Sequence, residues 1–416
     1  MDEFKIYKKQ IYKVLKDPFT RRALRRAVDS FRKNRDNALK VFPYAKKEAE
    51  ILKKTKDEVI DNFDHYVEKT LKAVEQMHAI PYYARDASEA LEIIKKIVGT
   101  GKTIVKAKSI TSEELDLNQH LEEWDNKVYE TDLGEFIVQL LKSRPMHILA
   151  PAVNIPREKV AEIFSEIAGE ELPADPARLA GFAREFLRDK FFKADIGISG
   201  ANAITSDTGT IFLIENEGNI RLSTSAPPVH IAIIGIEKIL PTLKDGMRLL
   251  EVVSRYAGYL AMSYVSLISA PSKTGDIEKV VVYGAHGPKE LHVILMDNGR
   301  TEAAKDPIVK TALRCLRCGA CMYECPVYPL ITGYWGYKYM GGIGIPWTAY
   351  VSGGFEKAAP MAFTCTLCGR CVKYCPMEID TPKITERIRE ILNEKGLIPP
   401  YIEDLARNIE EKGVPY

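Results

Sequence analysis

The residues whose types and spacing point most directly to chemistry are the eight cysteines, which all lie between positions 315 and 375. They form two copies of one pattern, Cys-x2-Cys-x2-Cys-x3-Cys-Pro, which begin at Cys315 and Cys365. Three thiolates on such a run fit three corners of a cubic iron–sulfur cluster, and the fourth cysteine, followed by proline, ligates the other cluster of a two-cluster module. The pattern therefore predicts two [4Fe–4S] clusters and a role in electron transfer.

The two ligand sets are expected to cross between the copies of the pattern. The first cluster is predicted on Cys315, Cys318, Cys321 and Cys375, and the second on Cys365, Cys368, Cys371 and Cys325. Structural zinc is one alternative, although zinc prefers two separated cysteine pairs and the third cysteine of each run would be surplus. Disulfides are another, but they belong to oxidising compartments, and the sequence shows neither a cysteine outside the motifs nor a signal peptide.

Length and charge limit the classes of function. At 416 residues the chain is longer than a typical single domain, and its net charge of +2 gives no global attraction to nucleic acid. The first 50 residues carry 15 Lys and Arg against 7 Asp and Glu. This excess indicates either a solvated helical face or a surface for an acidic partner or for peripheral contact with an anionic membrane. No stretch approaches the roughly 20 apolar residues of a membrane span, so we expect a soluble, cytoplasmic protein with no transmembrane segment and no nucleic-acid partner.

The rest of the chain must position the cysteines. We predict a helical region over 1–83, an α/β domain over 84–300, a two-cluster domain over 301–395 and a tail over 396–416. Short apolar strands that alternate with helices favour a largely parallel sheet; predicted elements include strands at Ile148–Ala150 and Ile220–Ser223 and a helix at Leu243–Ser266. The 39 residues between Cys325 and Cys365, with helical flanks, favour an α-helical ferredoxin over a compact βαβ one.

Polar, glycine-rich segments at predicted strand ends indicate a pocket in the α/β domain, although each alone is equally typical of a turn. The segments are Ser206–Thr210, Glu215–Asn219, Ser225–His230, Pro271–Glu278 and Gly284–Pro288. Neither a GxGxxG motif after a strand nor a Walker A lysine is present, which leaves the dinucleotide and P-loop interpretations without their required residues. No catalytic residue can be assigned from the sequence.

Several of these segments resemble the LUD (lactate-utilisation) domain family. The similar stretches are Lys106–Ser109, Glu130–Glu135, Ser206–Thr210, Asn216–Arg221, Pro227–His230, Gly284–Pro288 and Asp297–Arg300. With the doubled cysteine motif behind them, the chain as a whole resembles the lactate-utilisation protein B family. The resemblance implies an α/β fold akin to the NagB/RpiA/CoA-transferase superfamily, followed by an α-helical ferredoxin module with two [4Fe–4S] clusters.

The resemblance also implies partners and a pocket. The partners would be a cysteine-rich subunit similar to heterodisulfide-reductase components and a smaller LUD protein, in a system that oxidises lactate to pyruvate, with a flavin dehydrogenase as a further candidate. The residues expected to line the pocket are Lys108, Glu135, Thr208, Gly209, Thr210, Glu217, Asn219, Arg221, His230, Ser272, Glu278 and His286.

Three functions follow as hypotheses. The first is an electron-transfer subunit of a 2-hydroxy-acid oxidising complex, which is part of an oxidoreductase and not a stand-alone catalyst. The second is the same role in another flavin-dehydrogenase or heterodisulfide-reductase-like complex. The third, from a different class, makes the pocket itself an enzyme site or a ligand sensor, since a fold does not fix a function.

Overall fold

Helices form the N-terminal part of the protein in the computed structural model, which describes residues 3–415. The helices are α1 (Glu3–Leu15), α2 (Pro18–Val41), α3 (Ala45–Asp61) and α4 (Phe63–Gln76). Helix α2 begins at Pro18 because the Asp17 carboxylate accepts hydrogen bonds from the N–H groups of Phe19 and Thr20, and proline is favourable in the first turn of a helix.

The α/β domain is built on a parallel sheet of six strands. Its strands and those of two smaller sheets are β1 (Ile80–Ala84), β2 (Thr103–Lys106), β3 (Lys127–Glu130), β4 (Ile196–Ser199), β5 (Ala203–Thr205), β6 (Ile211–Glu215), β7 (Val229–Gly235), β8 (Ile239–Leu240), β9 (Tyr264–Ile268), β10 (Lys273–Thr274), β11 (Val282–Tyr283) and β12 (Glu290–Met296). The main sheet has the order β1-β12-β7-β4-β2-β3, and every neighbouring pair is parallel. A second sheet has the order β8-β5-β6-β9, and β10 pairs with β11.

Helices cover both faces of the main sheet. They are α5 (Ala87–Val98), α6 (Ile110–Glu113), α7 (Leu117–Glu123), α8 (Leu133–Leu140), α9 (Arg157–Ala168), α10 (Pro176–Lys193) and α11 (Asn219–Ser225). Helix α12 (Leu243–Ala257) packs on strands β5 and β8 of the second sheet. Successive residues of β2 point to opposite faces, as a strand requires: Ile104 packs in the core beneath α5 and α7, and Val105 packs in the core formed with α8, α9 and α10.

The C-terminal part is helical and carries both cysteine runs. Its helices are α13 (Arg300–Lys305), α14 (Ala320–Glu324), α15 (Tyr328–Ile331), α16 (Gly344–Tyr350), α17 (Gly354–Ala362), α18 (Arg370–Lys373), α19 (Thr381–Glu394) and α20 (Pro400–Lys412). One apolar core joins this part to the N-terminal helices and to the second sheet, and it contains Leu52, Phe212 and Trp347. The helical N-terminal region and the cysteine-bearing module are therefore packed on the α/β domain through a shared core.

Three predicted elements differ from the structure. Residues Ile220–Ser223 lie in helix α11, because the Glu215 carboxylate accepts the N–H groups of Ile220 and Arg221 and so caps its first turn. Residues Ile148–Ala150 form a turn around His147, whose Nδ1 accepts hydrogen bonds from Leu149 and Ala150 at 3.0 and 3.2 Å. These local side-chain bonds replace the strand pairing that the apolar residue types suggest.

The third difference is the helix predicted over Leu243–Ser266. Helix α12 ends at Ala257, where Gly258 adopts a φ of 96°, and the chain continues into β9, which pairs with β6. Strand β1 begins at Ile80, within the region 1–83 that was predicted to be helical, and ends at Ala84. Pro81 is tolerated in β1 because it is an edge strand. None of the helices within residues 3–415 has the length and apolar character needed to cross a membrane.

Candidate metal centre and adjoining cavity

The two cysteine runs have the same backbone conformation. In each run the residue before the second cysteine, Arg317 or Leu367, has a positive φ (61° and 54°), and so does the following glycine, Gly319 or Gly369 (81° and 71°). The left-handed backbone conformation is unfavourable for residues other than glycine. Their recurrence at equivalent places indicates that both loops are shaped for one purpose, and such turns are common around iron–sulfur sites.

Two cavities lie among the cysteines. The first is lined by Cys315, Cys318, Cys321 and Cys375, and Cys371 also borders it. The second is lined by Cys325, Cys365, Cys368 and Cys371, and Cys321 also borders it. Each set of four thiols expected from the sequence thus surrounds one cavity. The third cysteine of each run, Cys321 or Cys371, contacts both cavities, so the two sites are neighbours.

The chemistry of these cavities fits iron–sulfur clusters. Thiolates are the ligands that such clusters use, and the remaining lining is largely apolar, with Ile343 bordering both cavities. Within residues 3–415 no group of three or more His, Cys, Asp or Glu side chains is close enough together to bind a single metal ion. The evidence for iron–sulfur clusters is therefore the lining of the two cysteine cavities. Backbone N–H groups also donate to sulfur: Val327 N lies 3.3 Å from Cys325 Sγ, and Ile379 N lies 3.5 Å from Cys375 Sγ.

A buried ion network connects the first cysteine run to the α/β domain. Arg300, which begins α13, pairs with Glu114 at 2.6 Å and also with Glu237, and all three side chains are fully buried. Arg317, between Cys315 and Cys318, lies 3.2 Å from the other oxygen of Glu237. Burial opposes ionisation of Glu237, but Arg300 and Arg317 hold its pKa down to about 2. Glu237 therefore carries its charge at neutral pH and links the two domains.

A larger cavity of about 280 Å³ adjoins this network. It lies where the main sheet meets α3 and the first cysteine run, and Lys108, Gly200, Lys238, Lys56 and Cys315 are among its lining residues. Lys108 follows β2 and Gly200 follows β4, so the cavity lies at the carboxyl ends of these parallel strands, where α/β proteins bind ligands.

Three of the sequence-predicted pocket residues line this cavity: Lys108, Glu217 and Asn219. Glu135 lies beside it, with Oε1 3.5 Å from Lys108 Nζ. Burial raises the pKa of Glu135 to about 7, and Lys108 only partly opposes this effect.

The other predicted pocket residues serve different parts of the structure. Thr208, Gly209 and Thr210 form a turn of the second sheet, in which Thr210 Oγ1 lies 2.8 Å from Ser269 Oγ. His230 is buried in the main sheet, where its Nε2 lies 2.8 Å from Ser199 Oγ. Burial lowers its pKa to about 3, so the imidazole is neutral.

The remaining four lie outside the cavity lining as well. Arg221 lies over the Tyr264 ring, 4.4 Å from its centroid. Ser272 accepts a hydrogen bond from Gly287 N at 3.2 Å and so holds the loop that contains His286. Glu278 is exposed and has a φ of 52°. The glycine-rich segments that suggested one pocket are thus distributed over separate turns.

Sequence reasoning missed Lys56, Lys238 and Arg317 as cavity residues. Lys56 had a detectable signal, because it follows Leu52 by four residues and precedes Val59 by three, and so lies on the apolar face of α3. Lys238 and Arg317 had none, since only the packing of distant segments brings them together.

Comparison with known proteins agrees with this architecture. Residues 67–296 match the LUD domain family, and residues 311–379 match the 4Fe-4S dicluster domain family. The "Uncharacterized electron transport protein YkgF" of Escherichia coli (strain K12) is 32% identical over 395 residues, which cover 94% of this chain and 81% of that protein. The "Lactate utilization protein B" of Bacillus subtilis (strain 168) is 32% identical over 405 residues, 96% of this chain and 82% of that protein.

A solved structure is more distant. The crystal structure of a duf162 family protein from Deinococcus radiodurans has a TM-score of 0.31 and 17% sequence identity, and the similarity covers 57% of this chain and 98% of that one. The family matches and the curated relatives, together with the cysteine-lined cavities, lead to one conclusion. The chain belongs to the LUD domain family, and behind its LUD domain it carries a 4Fe–4S dicluster domain with two [4Fe–4S] clusters.

Proposed function

We propose that this protein is the iron–sulfur electron-transfer subunit of a cytoplasmic complex that oxidises lactate, or a related 2-hydroxy acid, to the keto acid. The similarity to proteins named lactate utilization protein B, over more than nine-tenths of the chain, supports the substrate. Thiols that hold iron need a reducing compartment, which supports the location. The chain is then part of an oxidoreductase and not a stand-alone catalyst.

The observation that carries the proposal is the adjacency of the two cysteine-lined cavities. Cys321 and Cys371 contact both of them. We assign the first cluster to Cys315, Cys318, Cys321 and Cys375, and the second to Cys325, Cys365, Cys368 and Cys371. When bound there, each cluster takes up and releases single electrons.

The two sites differ in exposure, which suggests where electrons cross the protein surface. Around the first site, Cys318 is buried and Ala320 is fully buried. Around the second site, Cys368 is exposed, and helix α18 (Arg370–Lys373) contains no buried residue. We infer that electrons enter or leave through the second site, where a partner docks against α18.

The charge of this surface suggests what the partner presents. Arg370 and Lys373 are both exposed on α18, so an acidic patch would be attracted to it. The proposed partners are a cysteine-rich subunit similar to heterodisulfide-reductase components and a smaller LUD protein. A flavin dehydrogenase in place of these partners would define the rival complex.

Anaerobic purification tests the proposal at its base. The isolated protein is expected to be brown, to contain about eight iron atoms per chain and, after reduction, to give low-temperature EPR signals of two interacting clusters. Anaerobically purified protein without iron would overturn it. Isolation of the native complex separates the two partner sets, because a stably bound flavoprotein would favour the rival.

A further inference from the structure

The 280 Å³ cavity occupies the topological switch point of the main sheet. Strands β2 and β4 are neighbours in the sheet. The next main-sheet strand along the chain after β2 is β3, which lies on the side of β2 away from β4. The next main-sheet strand after β4 is β7, which lies on the side of β4 away from β2, so the strand order reverses between β2 and β4. In open α/β sheets, ligands bind in the crevice outside the carboxyl ends of the two strands where the order reverses. Ser109 and Gly200, which follow these two strands, both line the cavity.

Two lysine side chains, Lys56 and Lys238, line the cavity. Lys56 is only 3% exposed, and its ammonium group donates to the carbonyl oxygen of Glu237 at 2.5 Å. Lys238 is partly buried and donates to the carbonyl oxygen of Ala201 at 2.6 Å. Within residues 3–415 neither ammonium forms an ion pair, although each has three protons to donate. Two cations that line one cavity without an ion pair favour the binding of an anion there.

The carboxylate of Glu237 forms no ion pair with either lysine among residues 3–415. Its two oxygens bind Arg300 and Arg317. Burial lowers the pKa values of Lys56 and Lys238 to about 8. The charge of Glu237 opposes this effect of burial, and the charge of Arg317 adds to it. A bound anion would restore the usual preference of both groups for the charged form.

The rest of the cavity offers acceptors and one unused hydroxyl group. The carboxylates of Glu217 and Asp132 line the cavity. Burial, and to a smaller extent the charge of Asp132, raises the pKa of Glu217. Thr111 also lines the cavity and is 1% exposed, yet its Oγ1 has no hydrogen-bond partner in the described part of the chain. A buried hydroxyl without a partner is costly unless a ligand supplies one.

We propose that this cavity binds a small hydroxycarboxylate. Lys56 and Lys238 would bind its carboxylate, and Thr111, Asp132 and Glu217 would form hydrogen bonds with its hydroxyl group. A volume of about 280 Å³ suits a small organic acid. The carboxylates of Asp132 and Glu217 disfavour a dianion such as phosphate and favour a group that donates a hydrogen bond. Cys315 lines the same cavity, so the ligand would lie beside the first cluster site.

This inference extends the electron-relay function and does not depend on it, because binding is measured without an electron donor. Isothermal titration calorimetry on the anaerobic, iron-loaded full chain would use sodium L-lactate and D-lactate as probes. Pyruvate lacks the hydroxyl group, lactamide lacks the charge, and inorganic phosphate tests for a general anion site. We expect at least one lactate enantiomer to bind, pyruvate to bind more weakly, and lactamide and phosphate not to bind.

Two variants test the assigned contacts. K238M removes a cation from the cavity and is expected to weaken lactate binding roughly tenfold or more. T111V replaces a hydroxyl group that has no protein partner, so a merely structural role predicts unchanged or higher thermal stability, whereas the ligand role predicts weaker binding of lactate. K193M, at an exposed lysine of α10, is the matched control and should bind as the wild type does.

Iron content and Tm establish that each variant is folded. If K238M does not fold, T111V still tests the proposal. Several results would overturn the proposal: no binding of either lactate enantiomer, binding of phosphate in place of lactate, pyruvate bound as tightly as lactate, or unchanged affinity in T111V or in a folded K238M. Lactate binding with no lactate-driven cluster reduction would leave this site standing and refute the proposed function.

Discussion

Arg35 of α2 and Glu324, the residue before Cys325, form a buried ion pair in which Nη2 lies 2.8 Å from Oε1. The exposed fractions of the two side chains are 0% and 3%. Arg32 also contacts Glu324, at 3.2 Å, and the Arg35 guanidinium lies 4.3 Å from the centroid of the Tyr374 ring. Part of the basic N-terminal excess is therefore used inside the protein, where it binds the cysteine module to α2.

Removal of Arg35 should loosen that module. R35M leaves the buried Glu324 carboxylate with only the more exposed Arg32 and Arg370, at 3.2 and 3.5 Å, as partners. We expect a loss of about 1.5–3 kcal/mol in the free energy of unfolding. Denaturant titration under anaerobic conditions measures it. R25M, at an exposed arginine of the same helix, should stay within about 0.5 kcal/mol of the wild type. Equal stabilities of R35M and R25M would show that the pair contributes little.

Crossed ligation predicts which cysteine variants behave alike. C325S should damage the same cluster as C365S, although Cys325 belongs to the first run, because both line the second cavity. C375S should match C315S for the same reason at the first cavity. Iron analysis together with EPR of the reduced proteins distinguishes the two pairs. If C325S instead reproduces the spectrum of C315S, each run binds its own cluster and the assignment is wrong.

Electron exchange through α18 should depend on its positive charge. K373E is expected to slow reoxidation of the reduced protein by ferricyanide, a small anionic acceptor, severalfold at low ionic strength. The difference should shrink as salt screens the charges. Stopped-flow absorbance measures both rates, with K193E, on α10 of the α/β domain, as the control. Identical rates for K373E and the wild type at low salt would place the exit elsewhere.

The Glu135 carboxyl group should make the stability depend on pH. Burial raises its pKa to about 7, so the folded protein holds a proton that the unfolded chain has released above about pH 4.3. This group's contribution to stability is therefore greatest at low pH and declines as the pH rises towards 7. Burial is the largest cause of the raised pKa; the charges of Glu130 and Glu113 also raise it, and those of Lys108 and Lys106 lower it.

E135Q, which cannot ionise, tests this sign. Between pH 5.5 and 8 the Tm of the wild type should fall relative to that of E135Q, whereas E166Q, at an exposed position, should follow the wild type. Differential scanning calorimetry or fluorimetry is sufficient. A Tm difference between wild type and E135Q that does not change with pH would contradict a raised pKa.

The cluster sites were predictable because they depend on local spacing. The intervals within each cysteine run place three thiols close together, which is typical of a [4Fe–4S] site, and the alternation of strands and helices is typical of the α/β class. The ends of elements were less predictable where a side chain intervened, as Glu215 does at the start of α11.

The polar cavity was only partly predictable because its residues come from distant segments. Lys108 and Glu217 were expected in a pocket, but Lys56 comes from α3 and Arg317 from the first cysteine run. Thr208 and Thr210 show the reverse error: their polar, glycine-containing segment resembles a binding loop but satisfies hydrogen bonds within a turn. Local sequence identifies a polar turn and does not reveal what the turn faces.

Rapid-freeze EPR of the native complex tests most directly whether this chain relays electrons from lactate. The complex would be isolated anaerobically with its clusters oxidised and then mixed with L-lactate or D-lactate. We expect signals of reduced [4Fe–4S] clusters from this chain within the time of one turnover, and their loss or alteration when Cys368 is replaced by serine. Lactate turnover while both clusters of this chain stay oxidised would contradict it.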